Sequence, residues 1–253
     1  MPDLCKHCIE GVRHEGTPEG RFEDIGGIRT YSRSPLATTP RTRRPSTSAL
    51  AIPLTTPGQL LADDFARNGF QVYLPDLFDG DPVPEDAISL NATVSANFGF
   101  RAWLARNSFG ESLPKVKAVI HALKESGVSR FGAIGFCYGG RHVFDLAYEQ
   151  KIHVSVASHP SFVQAEDLEI YAQKASAPLL LNTCEVDGQF PAEKQARADE
   201  VLGGGKFKYG YERTYWPECT NEFAVRGDLS DPNVKAGKEG SFEASVRWFL
   251  EHL

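Results

Sequence analysis

The six residues Gly135-Phe136-Cys137-Tyr138-Gly139-Gly140 constrain this chain more than any other stretch. They follow the run Arg130 to Ile134, apolar after its first residue, and precede a helical pattern from Arg141 to Gln150. The order is therefore strand, sharp turn, helix, with a cysteine at the tip. G-x-C-x-G-G is the nucleophile-elbow pattern G-x-S-x-G with sulfur in place of the hydroxyl. Small neighbours are needed on both sides of a strained turn if strand and helix are to pack closely. A side chain at the tip projects from the top of the sheet, where the positive end of the following helix favours thiolate. The plainer reading of the same residues is a buried structural cysteine in a Gly-rich turn.

From about Leu60 onward the pattern alternates. Gly58 to Asn68 has helical spacing, and Phe70 to Leu74 reads as a buried strand stopped by Pro75-Asp76. Asp79 to Glu85 is loop, and Asn97 to Arg106 and Pro114 to Ser126 are amphipathic and helical. Further strands are expected at Phe131 to Phe136, His153 to Ser158, Pro178 to Thr183 and Tyr211 to Trp216, with helices at Pro191 to Leu202 and Gly237 to Leu253. Strands separated by helical stretches of this length predict an α/β fold: a mostly parallel sheet with helices on both faces. The segment 32–57, rich in Ser, Thr, Pro and Arg, does not fit. Its apolar material, Ala49 to Ile52, makes barely one short strand. It reads as a loop with one poor strand, or as a fault in the gene model.

The hydrophobic fraction of 41% and charged fraction of 24% are those of a globular protein. A net charge of −6 argues against nucleic acid as a partner, and no apolar run is long enough to span a bilayer. The first eight residues lack the apolar core of a secretory signal, and five scattered cysteines suggest a reducing compartment. Cytoplasm is the expected location. Cys5-Lys6-His7-Cys8 is a C-x-x-C, but a zinc site needs a second ligand pair and only His14 is near. An arm folded over the surface is the expected role of this N-terminus, and no metal is implied.

An acid follows the elbow. Leu179 to Val186 runs as a buried strand into Asp187, just past the strand end, where acids orient a catalytic base in sheets of this kind. Glu185 competes for the role, and a turn-forming aspartate in Val186-Asp187-Gly188 is the structural alternative.

Pro75 to Pro82, Gly135 to Arg141, Ser158-His159-Pro160, Asn182 to Phe190 and Phe223 to Asp228 resemble the dienelactone hydrolase family, its fungal branch most of all. The resemblance implies a single α/β-hydrolase domain over residues 1–253 that uses a Cys-His-Asp triad on small cyclic esters, with no cofactor. Carried over by motif, Cys137 is the nucleophile, Asp187 the acid, and the Tyr138 backbone N–H one oxyanion donor. Residues Ala51 to Leu54 fall where the family has its other donor. The implied substrate is a small-molecule lactone or carboxylic ester, such as a polyketide or aromatic breakdown product of secondary metabolism.

The chain departs from the family at the histidine. Asn221 stands in that position and Glu222 replaces the small neighbour. Glu222 is one substitute base, since a carboxylate in an apolar pocket can act as one; a solvated loop glutamate is the alternative. His159, after the next strand, is another. His142, on the elbow helix, and His252, at the end of the last helix, are poorly placed. Arg226 could hold a substrate carboxylate or pair with an acidic neighbour. Phe78, Phe98, Phe100 and Trp103 line a ring pocket or belong to the core. Two classes follow: a thiol-dependent hydrolase with an altered triad, and an impaired homologue that binds a small molecule or regulates.

Overall fold

The computed structural model describes residues 9–35, 46–51, 54–84, 87 and 98–253. The Cys5–Cys8 motif, Ile52, Glu85 and Asn97 lie outside them. The strands form one eight-stranded sheet in the order β1-β2-β4-β3-β5-β6-β7-β8. These are Arg21–Ile25 (β1), Ile28–Arg33 (β2), Ser46–Ala51 (β3), Phe70–Pro75 (β4), Phe131–Phe136 (β5), Val154–Ser158 (β6), Leu179–Val186 (β7) and Tyr211–Thr220 (β8). From β4 to β8 all neighbours run parallel, while β1 and β2 join antiparallel at one edge. The α/β fold expected from the alternation is what the chain adopts, with the sheet that the resemblance to α/β-hydrolases implied.

The hairpin β1–β2 was not legible as alternation, but its turn has a clear cause. Gly26 and Gly27 have φ of +63° and +80°, as a two-residue loop matching the strand twist demands. A Cβ on Gly26 would lie 2.8 Å from the carbonyl oxygen of Ala118, so helix and turn approach too closely for a side chain.

Within the segment 32–57, residues 36–45, 52 and 53 lie outside the described residues. Residues 32 and 33 complete β2, Ser46–Ala51 form β3, and residues 56 and 57 open helix α1, Thr56–Arg67. β3 lies between β4 and β5, with Ala49 opposite both Tyr73 and Ala133. Pairing on both edges gives this strand the backbone hydrogen bonds that its composition did not advertise.

Helices cover both faces. α1 and the last helix α8, Pro232–His252, pack Phe65, Phe242 and Phe249 against Val72, Ile134 and Phe136. The other face carries α2 (Phe100–Arg106), α3 (Phe109–Glu125), α4 (Tyr138–Tyr148), α5 (Ala165–Lys174) and α6 (Ala192–Leu202). There Val119, Phe144 and Tyr171 meet Phe131 and Ala133. β5 therefore buries alternate residues in two cores, which is why it reads as a continuous apolar run. α5 escaped the sequence reading, although Asp167 accepts from the Gln164 backbone N–H at its start (2.8 Å). Val12 is buried and Arg13 donates from Nε to Asp64 (2.6 Å), which anchors residues 12 and 13 to α1.

At the elbow, a Cβ on Gly135 would fall inside the carbonyl of Gly139, and one on Gly140 would lie 2.6 Å from Pro160 Cβ. Both obstacles are fixed parts of the fold rather than flexible side-chain ends. Gly135→Ala is expected to destabilise by about 3 kcal/mol or more, at the upper end of overpacking effects. Urea denaturation measures this, and an unchanged midpoint would contradict the close approach.

Candidate active site

Cys137, His159, Asp187, Asn221 and Glu222 lie just beyond the C-terminal ends of neighbouring strands, the edge of an open α/β sheet where sites are built. Cys137 links β5 to α4 with φ 47° and ψ −111°. This left-handed backbone is strained for a side-chain residue and is held by its surroundings. Its N–H donates to the Ser158 carbonyl (3.2 Å), and its own carbonyl accepts from Gly140 (3.0 Å) and Ser161 (2.9 Å).

Ser161 was missed in the sequence, where only its position after β6 could have flagged it. Its Oγ lies 3.1 Å from Cys137 Sγ, so one serine touches the cysteine at both backbone and side chain.

Asp187 follows β7 and is buried. Its Oδ1 accepts from the backbone N–H groups of Gln189 (2.8 Å) and Phe190 (3.1 Å), and from Asn221 Nδ2 (3.1 Å). The turn role and the orienting contact thus coexist on one oxygen, while Oδ2 has no partner among the described residues. Glu185 drops out as a competitor: it is exposed and accepts from the Glu218 N–H (2.8 Å).

Asn221 Nδ2 donates to Asp187 (3.1 Å) and to the His159 carbonyl (3.4 Å). A neutral amide there carries no transferable proton. Glu222, one residue on, has φ 79° and is only 8% exposed, which overturns the solvated-loop alternative. Its Oε2 accepts from Arg226 Nε (3.1 Å) and Nη2 (3.0 Å). Arg226 is thus already engaged by Glu222, and a substrate carboxylate would have to compete for it.

Glu222 also faces the sulfur. Burial pushes the Cys137 thiol well above the ordinary cysteine range, and the charge of Glu222 is the next cause. Ser161 and the Tyr138 N–H pull the other way without prevailing. This corrects the expectation of a thiolate favoured by the helix start: desolvation and a facing carboxylate outweigh it.

His159 is fully buried, with φ 39°, between the rings of Phe136 and Phe223. Both ring nitrogens lack partners among the described residues. Burial lowers its pKa, opposed by the charges of Glu222 and Asp187, so the ring is held neutral beside two acids. His142 faces away from this group. It is buried, its Nε2 lies 2.8 Å from Ser112 Oγ, and burial brings its pKa down to about 4.

The Tyr138 N–H is directed at the sulfur, while the Tyr138 ring stacks on Phe109 (4.4 Å between centroids) and meets Phe78 and Trp103 edge-on. Those aromatic residues are core around the elbow. Ile52 and Pro53, within the expected second oxyanion loop, lie outside the described residues. Arg141 braces the elbow helix through Asp145 and, at 2.7 Å, Asp167.

A family model described as the dienelactone hydrolase family matches residues 57–253. The chain belongs to the dienelactone hydrolase family. Hydrolase pyvD of Aspergillus violaceofuscus is 31% identical over 100% of this chain and 97% of its own length. Dienlactone hydrolase 1 of Gibberella moniliformis is 28% identical over 97% and 92%. Among solved structures, a dienelactone hydrolase candidate from Klebsiella pneumoniae superposes with a TM-score of 0.71 at 16% identity, covering 92% of this chain and 99% of that one. The dienelactone hydrolase of Anabaena variabilis gives 0.61 at 12% identity, covering 93% and 97%. The likeness to solved structures is one of fold; the family match makes this chain a hydrolase of the dienelactone hydrolase type. No helix among the described residues is long and apolar enough to cross a membrane.

A thiol held protonated by a neighbouring carboxylate has a measurable signature. Iodoacetamide is expected to label Cys137 slowly at pH 7, with the rate rising only above the usual thiol range. Glu222→Gln removes a charge that raises the thiol pKa, so labelling at pH 7 is expected to become faster. Mass-spectrometric rates across pH decide the point, and a slower variant would contradict the assignment.

Proposed function

We propose that this chain hydrolyses small lactones or carboxylic esters through Cys137, with Glu222 as the base in place of the family histidine. The reading takes residues 1–253 as one catalytic domain. The observation that carries it is a buried carboxylate, clamped by Arg226, facing the sulfur at the tip of the elbow. As the sulfur attacks the ester carbonyl, the thiol proton passes to Glu222 and the carbonyl oxygen becomes an oxyanion beside the Tyr138 N–H. Collapse breaks the C–O bond, and Glu222 returns the proton to the leaving alkoxide. In a lactone that alkoxide stays tethered to the acyl group. Water, deprotonated by Glu222, then cleaves the thioester and regenerates the thiol. Asp187 and Asn221 fix the loop from which Glu222 projects, and His159 is the competing base. The resemblance to the fungal branch favours substrates derived from polyketides or aromatic compounds.

A binding or regulatory role is the second reading, favoured by the Asn221–Asp187 bond, which puts an amide where a proton carrier would stand. Turnover of p-nitrophenyl acetate separates the two. The proposal expects Cys137→Ala to abolish it and Glu222→Gln to lower kcat by about 10²–10⁴-fold, the range of general base catalysis, while alkylation accelerates. A Glu222→Gln protein as active as the unaltered one would refute this base, and an inactive unaltered protein would favour the binding role. Asn221→His, which restores the family residue against Asp187, is expected to raise kcat.

A further inference from the structure

A cavity of about 680 Å³ lies between the N-terminal arm, the start of α1 and the short helix Phe223–Arg226 (α7) that follows Glu222. Glu222 and Arg226 form part of its wall, so it adjoins the candidate site. Its size suits a small organic molecule. Lys238, which also lines it, has no counter-charge of its own among the described residues.

Lys238, on α8, is only 8% exposed. Its ammonium donates to the Val225 carbonyl (3.1 Å), and Val225 lines the same cavity. It forms no ion pair among the described residues. The acid nearest in effect is Asp64, whose two oxygens already accept from the Nε (2.6 Å) and backbone N–H (2.7 Å) of Arg13. Glu222 is committed to Arg226 (3.0 Å). A lysine with three donors, one backbone acceptor and almost no access to water is an incomplete site, because buried ammonium groups are normally paired. Burial lowers its pKa accordingly.

We infer that this cavity binds a small organic carboxylate whose anionic end completes the coordination of Lys238, with Pro57, Leu60, Leu61 and Leu229 receiving its apolar body. Arg13 and Arg226 also line the cavity but are paired with Asp64 and Glu222, which leaves Lys238 beside the apolar wall to select an amphipathic monoanion over a neutral isostere. The inference deepens the hydrolase reading, because ester or lactone hydrolysis releases a carboxylate and a substrate can carry a second one. It does not need turnover to be tested.

Benzoate is the probe and benzyl alcohol its uncharged counterpart, titrated calorimetrically into the full chain. Benzoate is expected to bind at least tenfold more tightly than the alcohol, and Lys238→Met to remove that preference. Because Lys238→Met deletes an unpaired buried charge of similar volume, its melting temperature without ligand is expected to equal or exceed that of the unaltered protein. Lys238→Arg, which keeps the charge, is expected to retain the preference. Equal binding of acid and alcohol, undiminished benzoate binding by Lys238→Met, or a melting temperature lowered by many degrees in that variant would each overturn the inference; the last would make the lysine a structural tether. Where the protein turns over p-nitrophenyl acetate, competitive inhibition by benzoate assigns the carboxylate to substrate or product, and non-competitive inhibition to a separate effector. Calorimetric binding without any ester turnover would sustain this inference while removing the hydrolase reading.

Discussion

The site depends on one close approach, that of β5 to the first turn of α4. With no side chain on Gly135 or Gly140, the helix can start directly above the strand end and against Pro160. Cys137 is left at the crest with φ 47°, a conformation it would not choose alone. Hydrogen bonds to the Ser158 carbonyl and from the Gly140 and Ser161 N–H groups hold it there. Parallel pairing of β5, β6, β7 and β8 then brings the ends of the other strands, and with them His159, Asp187, Asn221 and Glu222, to the same edge.

Within that frame the electrostatics differ from those of a resting triad with an imidazole. An amide, Asn221, lies against Asp187, and the carboxylate of Glu222 follows one residue along. A carboxylate facing a buried thiol stabilises the protonated form, whereas an imidazolium would stabilise the thiolate. On the proposed reading, activation coincides with attack, the proton moving as the sulfur–carbon bond forms.

The sequence made the central elements legible for physical reasons that can be named. β5 and β7 are buried on both faces and read as apolar runs, and the elbow glycines announced themselves through a backbone approach that nothing larger permits. β3 was nearly invisible, because its stability comes from strands on either side rather than from its own composition. The β1–β2 hairpin was signalled only by Gly26-Gly27, and α5 only by its cap. At the site, the placing of Cys137 and Asp187 at the ends of neighbouring strands could be read from order and motif. The orientation of Glu222 could not, since it follows from a left-handed backbone at residue 222 and a partner four residues on. The helix-start argument for Cys137 failed for the same reason: sequence shows the helix but not the desolvation or the acid opposite.

The protonated resting state of Cys137 has a consequence for durability. Peroxide and disulfide exchange act on sulfur in its anionic form, and the oxidation ladder begins there. A sulfur held in its neutral form, with Ser161 against it, is spared that chemistry. The arrangement trades readiness for longevity, and a protein built this way can meet oxidants without losing its Cys137 thiol.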